Sequence, residues 1–288
     1  MSAGATQATL GLDTFKDIAA LAYRESGLLL VPEKLLMVQS RLRHRLRALQ
    51  IHDFDQYASL VCSDPGRDEL RFMISALTTN VSHFFREPHH FDLLTEHLLP
   101  IFRKKIATGQ RIRIWSAGCS NGQEPYSIAM HLCRTEPALA RADFRILATD
   151  IDPNVVAFAT RGTYPEQQLT AVSEANKSGF FEQAPNNAGC LTVQDYLKKI
   201  ISFRELNLLG AWPMRQTFDA IFCRNVVIYF DTKTQEKLWP RFKEALAQDG
   251  MFFLGHSERI SSPDSFGFST IGPTAYKADK QLSAIRHN

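Results

Sequence analysis

Apolar residues recur with helical spacing through the first quarter of the chain. Asp13 stands where it would cap a first helix, and Pro32 precedes a longer amphipathic stretch, where a proline is compatible with a first turn. One apolar stripe of that stretch is formed by Leu35, Val38, Leu42, Leu46 and Leu49. Further helices are predicted over 54–62 and 67–77, so residues 13–77 form a predicted all-helical domain.

The pattern changes after a helical segment at 91–106. Short β-branched and aromatic runs then occur at 112–115, 144–148, 200–203, 218–223 and 251–255. Helical segments at 125–134, 153–160 and 234–248 lie between most of these runs. Strands that alternate with helices predict an α/β fold with a doubly wound, mostly parallel sheet.

One stretch, at about 163–199, is too long for an ordinary connection in such a sheet. It contains Pro185, Asn186, Asn187 and Gly189, which together are a strong turn signal. We therefore expect an inserted small β-subdomain beside the substrate side of the sheet.

Composition excludes several classes of protein. The chain has 288 residues, of which 44% are hydrophobic and 22% charged, with a net charge of +3, as in ordinary globular proteins. The near-neutral charge gives no support to a nucleic-acid-binding or membrane-surface role. Five scattered cysteines without a C-x-x-C pair, and the lack of a signal-peptide or spanning pattern, predict a cytoplasmic protein with reduced thiols. We expect a monomer.

The chemistry is expected where the strands end. The first strand is followed by a turn with Gly118, Gly122 and Glu124, and Asp150 closes the second. This turn is not the G-x-G-x-x-G fingerprint, and a glutamate beside a pyrophosphate would repel it. Two acidic groups without a phosphate-binding lysine point instead to S-adenosylmethionine, which is cationic. The alternative is an ordinary strand-to-helix turn, with Asp150 as a helix cap.

Four motifs then carry a resemblance to a known family. They read TTNVSHFFRE at 78–87, WSAGCSNGQEPYS at 115–127, CRNVVIYF at 223–230 and GHSE at 255–258. In this order they resemble the signatures of the CheR family, the chemotaxis receptor methyltransferases, and the likeness extends over residues 13–276. Residues 78–288 are thereby identified as a methyltransferase domain of the class I S-adenosylmethionine-dependent type, and 13–77 as a receptor-recognition domain.

The resemblance implies roles for individual residues. Cofactor contacts are implied for Asn80, Ser82, Arg86, Glu124, Asp150, Asn207, Leu208, Asn225 and Val226. Arg86 and Tyr229 are expected nearest the transferred methyl group and are the candidate catalytic residues. The chain departs from the family at Ser82 and Asn121, where threonine is usual, and at Gln123, where glutamate is usual; Gln123 is expected to tune cofactor affinity.

The implied reaction is methyl transfer from S-adenosylmethionine to the γ-carboxylate of receptor glutamates, leaving S-adenosylhomocysteine. A glutamate is already an anion at pH 7, so no general base is needed. Arg86 is expected to position the carboxylate; the alternative is a helix-capping ion pair with Glu87 or Glu96. We expect structural roles for His89, His90 and His256, and no metal site.

The predicted helix at 34–49 contains five basic residues and no acidic one. Like charges four residues apart cost a few tenths of a kcal/mol each, which favours an acidic partner. By resemblance, Arg41, Arg45 and Arg47 dock on the cytoplasmic helical bundle of a chemoreceptor. His44 stands where the family has an arginine, which would weaken docking or make it pH-sensitive. The alternative is a solvated basic face.

In some members of the family the inserted subdomain binds a short peptide at the receptor C-terminus through a Gly-x-Gly loop. The corresponding stretch, 182–189, lacks that pattern. We therefore predict no peptide dependence.

Three alternatives to a glutamate methyltransferase stay open. A methyltransferase for RNA or small molecules lacks support, because no (Asp/Asn)-Pro-Pro-Tyr motif follows the fourth strand. A nucleic-acid-binding module built on the arginine helix is disfavoured by the charge and by the lack of interleaved aromatics. A relative that binds S-adenosylmethionine without activity is compatible with the sequence.

Overall fold

A computed structural model describes residues 8–63, 66–185 and 187–279. The chain divides into two compact units. The first contains the residues up to Thr79 together with Tyr229–Asp231, and the second contains Asn80–Ile228 and the chain from Thr232 onward.

The described residues of the first unit form four α-helices, α1 (Leu12–Ser26), α2 (Leu35–Ala48), α3 (Phe54–Val61) and α4 (Arg67–Leu77), with a short 3-10 turn at Pro32–Lys34. The prediction that Asp13 caps α1 is wrong, because Gly11 is the N-cap and Asp13 lies in the first turn. Its carboxylate is favourable there because the helix dipole is positive at that end. The buried stripe of α2 ends at Leu46, whereas Leu49 lies beyond the helix and is 37% exposed.

The second unit contains a seven-stranded sheet. Its strands are β1 (Ile112–Ala117), β2 (Phe144–Asp150), β6 (Ile201–Glu205), β7 (Phe218–Cys223), β8 (Leu246–Leu254), β9 (Phe268–Gly272) and β10 (Ala275–Ala278), in the order β6-β2-β1-β7-β8-β10-β9. The first five strands in that order are parallel and correspond to the five predicted runs. The prediction of a doubly wound, mostly parallel sheet is confirmed.

Two strands at the other edge were not predicted from the sequence. β10 pairs antiparallel with both β8 and β9. Their residues are mixed in character, and β9 has an exposed Ser269 and Thr270 beside a buried Phe268, so they lack the continuous apolar run of a central strand.

Helices precede and connect the strands. Before β1 the chain forms α5 (His89–Leu93), a π-helical turn (Leu94–Leu98) and α6 (Leu99–Ala107). The connections contain α7 (Gln123–Thr135), α8 (Pro153–Arg161), α10 (Asp195–Ile200) and α11 (Thr232–Ala245). Pro153 follows the N-cap Asp152, whose side chain accepts the Asn154 N–H, so α8 begins directly after β2.

The expected insertion is present as a second, three-stranded antiparallel sheet. Its strands β3 (Thr163–Pro165), β4 (Phe181–Gln183) and β5 (Cys190–Val193) are arranged in the order β3-β5-β4, with α9 (Glu174–Phe180) leading into β4. Phe84 packs edge-on against Tyr164 and Phe181, with ring centroids 5.0 and 5.9 Å apart. The TTNVSHFFRE segment is thereby anchored on the subdomain.

Candidate active site

The strand order reverses at β1. From β1 the sheet continues through β2 to β6 on one side, and β7 lies on the other side. Ligands of open α/β sheets bind outside the carboxyl ends of the strands at such a switch point. The residues that follow β1, β2, β6 and β7 therefore form the candidate site.

The backbone after β1 approaches the chain after β7 closely. Gly118 has a φ of +89°, and a Cβ there would lie 2.3 Å from Cγ2 of Val226. Gly122 has a φ of +88°, and a Cβ on it would meet Ala159 and the Tyr164 hydroxyl within 3 Å. Glycine is required at both positions because the backbone is left-handed and the space is filled.

Asp150, at the end of β2, fixes this turn. Its carboxylate accepts the N–H of Ser120 at 2.8 Å and that of Asp152 at 3.1 Å. Burial raises the pKa of the Asp150 carboxyl to about 6, although these N–H groups act in the opposite direction. Asp152 in turn accepts the side-chain amide of Asn80 at 2.9 Å. The first motif and the end of β2 are thus connected within one unit.

Two buried polar atoms of the turn have no hydrogen-bond partner among the described residues: Ser120 Oγ and Gln123 Oε1. Buried atoms of this kind are rare in native proteins and are often satisfied by a ligand or water. S-adenosylmethionine carries ribose hydroxyl and ammonium donors, which such acceptors suit. The two free acceptors, the close approach at Gly118 and the carboxylate of Asp150 fit this cofactor.

Residues after β6 and β7 complete the rim of the site. Asn207 accepts the Leu209 N–H with its side-chain oxygen at 2.9 Å, and Leu208 is buried. Asn225 has a left-handed φ of +60°, and its N–H donates to Glu258 at 2.7 Å. The predicted roles of Asn207, Leu208, Asn225 and Val226 in cofactor binding stay predictions.

Glu124 has a cationic partner within the chain. Its Oε2 accepts from Nε of Arg224 at 2.7 Å, and its Oε1 accepts from the Ser116 hydroxyl at 2.7 Å. Both side chains of the ion pair are buried, at 8% and 3% exposure. The carboxylate is therefore held in one orientation, and a direct cofactor contact by Glu124 stays a prediction.

Arg224 also binds the TTNVSHFFRE segment and the residues that follow it. Its Nη1 donates to the backbone oxygen of Arg86 at 2.7 Å and lies 3.1 Å from Nδ1 of His90. Because a guanidinium has no acceptor, His90 Nδ1 accepts, and His90 Nε2–H donates to the Pro273 carbonyl and the Thr274 hydroxyl. Burial and the charge of Arg224 lower the pKa of His90 to about 4, so the ring is neutral.

Glu87 receives several donors at the same place. Its Oε1 accepts the backbone N–H of His256 at 3.0 Å, and Nη1 of Arg224 lies 3.6 Å from its Oε2. Burial acts to raise the pKa of Glu87, but the His256 N–H, the charge of Arg224 and the rings of His256 and His90 together lower it below its ordinary value. Within the described chain, no group of His, Cys, Asp and Glu residues has the arrangement of a metal site.

Glu258 fastens the chain after β7 to the chain after β8. Its buried carboxylate accepts backbone N–H groups of Gly255 at 2.6 Å, Asn225 at 2.7 Å and Ile228 at 3.2 Å. Burial raises the pKa of Glu258 even though these donors favour its anion. The GHSE and CRNVVIYF motifs therefore form one connected loop structure.

The candidate catalytic residues lie in different units. Arg86 belongs to the second unit; its Nη1 is 3.4 Å from the Val81 carbonyl and its Nε is 3.9 Å from Glu87, a loose contact at the limit of an ion pair. Ser82 is partly buried in the same segment. Tyr229 belongs to the first unit, where its carbonyl accepts the N–H of Leu29 at 2.9 Å.

The basic helix has an acidic partner that was not foreseen. Arg45 forms a bidentate ion pair with Glu69 of α4, and its guanidinium lies 4.5 Å from the Phe72 ring centre. Arg41 donates to the carbonyls of Leu77 and Thr78 at the end of α4. These two arginines hold the first unit together, whereas Arg47 is exposed.

Comparisons with known proteins agree with this architecture. Residues 80–275 match the family described as "CheR methyltransferase, SAM binding domain", and residues 13–78 match "CheR methyltransferase, all-alpha domain". The chain belongs to the CheR methyltransferase family. The predicted α/β methyltransferase domain with an all-helical N-terminal domain and the predicted cofactor, S-adenosylmethionine, are confirmed.

Three relatives illustrate the similarity. A probable chemotaxis protein methyltransferase of Rhizobium etli is 45% identical over 89% of this chain and 96% of its own length. Chemotaxis protein methyltransferase 2 of Pseudomonas aeruginosa is 39% identical over 92% of both chains. Chemotaxis protein methyltransferase of Escherichia coli is 38% identical over 92% of this chain and 91% of its own.

Sequence reasoning missed Arg224 and Glu258 as organising residues of the CheR site. Each lies within a motif quoted for the resemblance, at the end of β7 and four residues after β8. A charged residue directly after a fully buried strand is the signal that points to Arg224. None of the helices in the described chain is long and apolar enough to cross a membrane.

Proposed function

We propose that this CheR protein methylates glutamate side chains of chemoreceptors in the cytoplasm. The product is a glutamate methyl ester, which neutralises one negative charge for each residue modified. The observation that supports this most strongly is the fit of the switch-point turn to S-adenosylmethionine, combined with the absence of any need for a base when the acceptor is a carboxylate.

When bound, S-adenosylmethionine supplies an electrophilic methyl group on a positively charged sulphur. Asp150, Asn225 and the turn from Gly118 to Gln123 would hold the cofactor, at the carboxyl ends of three parallel strands. The bound cofactor would supply the methyl group for the new carbon–oxygen bond and would keep the electron pair of the broken carbon–sulphur bond. No proton is transferred, because the receptor carboxylate enters as an anion.

Arg86 positions the acceptor carboxylate in this proposal. Its guanidinium is about one-quarter exposed, and its contacts with Val81 and Glu87 are long, so donors are available for a substrate anion. Binding the carboxylate too tightly would weaken it as a nucleophile, so Arg86 orients rather than activates. The catalytic role that the resemblance implies for Tyr229 stays a prediction.

The proposed partner is the cytoplasmic helical bundle of a receptor, bound by a monomer of this chain. Arg47 is the exposed member of the three predicted docking arginines. Because Arg41 and Arg45 already have partners in the first unit, they support docking by shaping the surface that carries Arg47.

The test uses the full chain, methyl-labelled S-adenosylmethionine and membranes containing a chemoreceptor from the same genome. We expect receptor label that is released as methanol by mild base, which is the signature of an ester. Arg86→Ala should lower kcat/KM, and an unchanged kcat/KM would exclude the positioning role. Base-stable label would indicate another acceptor. S-adenosylhomocysteine binding without any label would indicate an inactive relative.

A further inference from the structure

The side chain of Arg224 binds Glu124 of the candidate active site and is almost fully buried, at 3% exposure. It joins segments that are far apart in sequence: Arg86 is 138 residues away and Glu124 is 100 residues away. The three donor–acceptor distances, to Glu124, to the Arg86 carbonyl and to His90, are 2.7, 2.7 and 3.1 Å. Arg224 was not among the predicted site residues, and the prediction for Arg86 concerned its side chain and not its backbone carbonyl.

The carbonyl that Arg224 binds lies in a strained piece of backbone. Phe85 and Glu87 have left-handed φ values of +54° and +57°, on either side of Arg86. Non-glycine residues in this region cost on the order of 1–3 kcal/mol each and persist only where the surroundings hold them. Here the Phe85 N–H donates to the Ser127 hydroxyl at 2.9 Å, and Arg224 binds the Arg86 oxygen.

The direction of the Arg86 side chain depends on these two left-handed residues. If the backbone at Phe85 and Glu87 left the left-handed region, the chain at Arg86 would change direction and its Cα–Cβ bond would point elsewhere. A guanidinium is suited to holding the Arg86 carbonyl and the Glu124 carboxylate together, because its several N–H donors lie in one rigid plane. A lysine ammonium in the same place is a point charge without this planar arrangement of donors.

We propose that Arg224 is a positioning residue of the transferase reaction: through the Arg86 carbonyl it holds the strained segment 85–87 and thereby aims the Arg86 guanidinium at the acceptor carboxylate. This inference rests on the proposed function, because it presupposes that Arg86 positions a carboxylate. The ion pair with Glu124 keeps the Arg224 side chain itself in place.

The test compares Arg224→Lys with Arg113→Lys. Arg113 is a matched control, because its guanidinium also binds two backbone carbonyls, those of Ile112 and Asp143, and one carboxylate. It lies at the opposite end of the same unit's sheet, near the start of β1. Retaining the positive charge avoids leaving Glu124 buried without a cation, which would endanger folding.

Two readouts decide the matter. In receptor methylation, Arg224→Lys should lower kcat by about 10²-fold, since misplacing a group by about 1 Å costs this much. In an Arg86→Ala background the same change should cost less than about twofold, whereas a purely structural effect would be equal in both backgrounds. Arg113→Lys should leave kcat unchanged.

The second readout does not depend on activity. Amide hydrogen exchange in a peptide covering residues 84–90 should become at least about tenfold faster in Arg224→Lys and stay unchanged in Arg113→Lys. Unchanged exchange there, or equal kcat losses with and without Arg86, would overturn the proposal. A wild-type protein that transfers no label to receptor would refute the proposed function instead, and the exchange result would still decide whether Arg224 holds the segment.

Discussion

Arg45 and Glu69 form a bidentate ion pair between α2 and α4, with Nε–Oε1 at 2.9 Å and Nη2–Oε2 at 2.6 Å. Glu69 is 7% exposed and also accepts from the Tyr57 hydroxyl at 2.8 Å. Part of the positive charge on α2 is therefore neutralised inside the first unit. The spacing of like charges on α2 suggested an acidic partner outside the chain. For Arg45 the acidic partner is Glu69 of the same unit.

Arg45→Glu should strongly destabilise the first unit, because two carboxylates would face each other in a nearly buried place. Breaking a buried pair costs about 3–5 kcal/mol, and we expect a loss in this range in urea denaturation. Arg47→Glu is the control on the same helix, and its exposed side chain should change the unfolding free energy by no more than about 0.5 kcal/mol. Equal losses in the two variants would contradict this account of α2.

Docking on the receptor is therefore best tested at Arg47. Charge reversal there should raise KM for the receptor about three- to tenfold at low salt, in proportion to the modest energy of an exposed ion pair. The effect should shrink at higher ionic strength, and calorimetric binding of S-adenosylhomocysteine should not change. Arg111→Glu provides an equal charge change on the second unit. If KM responds to neither substitution, Arg47 does not take part in docking.

The sequence predicted the five parallel strands because each contains a short run rich in β-branched and aromatic residues; in β7 all six residues are buried. The edge strands β9 and β10 were not predicted because each mixes apolar and polar residues and neither forms a continuous apolar run. They pair with each other in antiparallel orientation. Strand ends and motifs located Gly118 and Asp150. They did not reveal that Glu124 is paired with Arg224, since partners a hundred residues apart are brought together only by the completed sheet.

The close approach of Gly118 to Val226 leads to a prediction about stability, for which Gly109 of the same unit is the control. Gly118→Ala and Gly109→Ala both place a side chain on left-handed backbone, but only the former meets a neighbour, since nothing lies within 4 Å of a Cβ at Gly109. Gly109→Ala should cost about 1–2 kcal/mol for its backbone alone. Gly118→Ala should cost about 1–3 kcal/mol more through overpacking against Val226.

The two glycine variants should also differ in their affinity for the cofactor product. Displacement of Val226 should weaken S-adenosylhomocysteine binding in Gly118→Ala, measured by calorimetry, while Gly109→Ala should bind normally. Val226→Ala added to Gly118→Ala should recover part of the lost stability, because it removes the methyl group that the new Cβ meets. If the two glycine variants are equally stable, the crowding at Gly118 has no energetic consequence.

The inserted sheet leads to a prediction about receptor tethering. β4 is at an edge of this sheet and has exposed Glu182 and Gln183, and a charged edge disfavours the addition of another strand. Asn186 of the adjoining stretch lies outside the described residues. We expect no heat in titrations with a pentapeptide from the C-terminus of a receptor of the same genome. Micromolar binding would show that this subdomain holds peptides without the Gly-x-Gly pattern.

His90 predicts a specific dependence of stability on pH. Burial, followed by the charge of Arg224, lowers its pKa to about 4 in the folded protein, below the ordinary value of 6.5. A lowered pKa stabilises the fold above pH 6.5, and this contribution is lost as the pH falls from 6.5 to 4. The full loss is about 3 kcal/mol.

His90→Asn is the variant that isolates this effect. Asparagine retains an acceptor for Arg224 but does not titrate, so its unfolding free energy should fall less steeply between pH 6.5 and pH 4 than that of the wild type. Burial raises the pKa values of Asp150 and Glu258, but these groups titrate in both proteins and cancel in the difference. Urea denaturation at four or five pH values measures the two curves. Curves that stay parallel over this range would mean that His90 is not held neutral in the folded protein, and its Nδ1 would then not accept a hydrogen bond from Arg224.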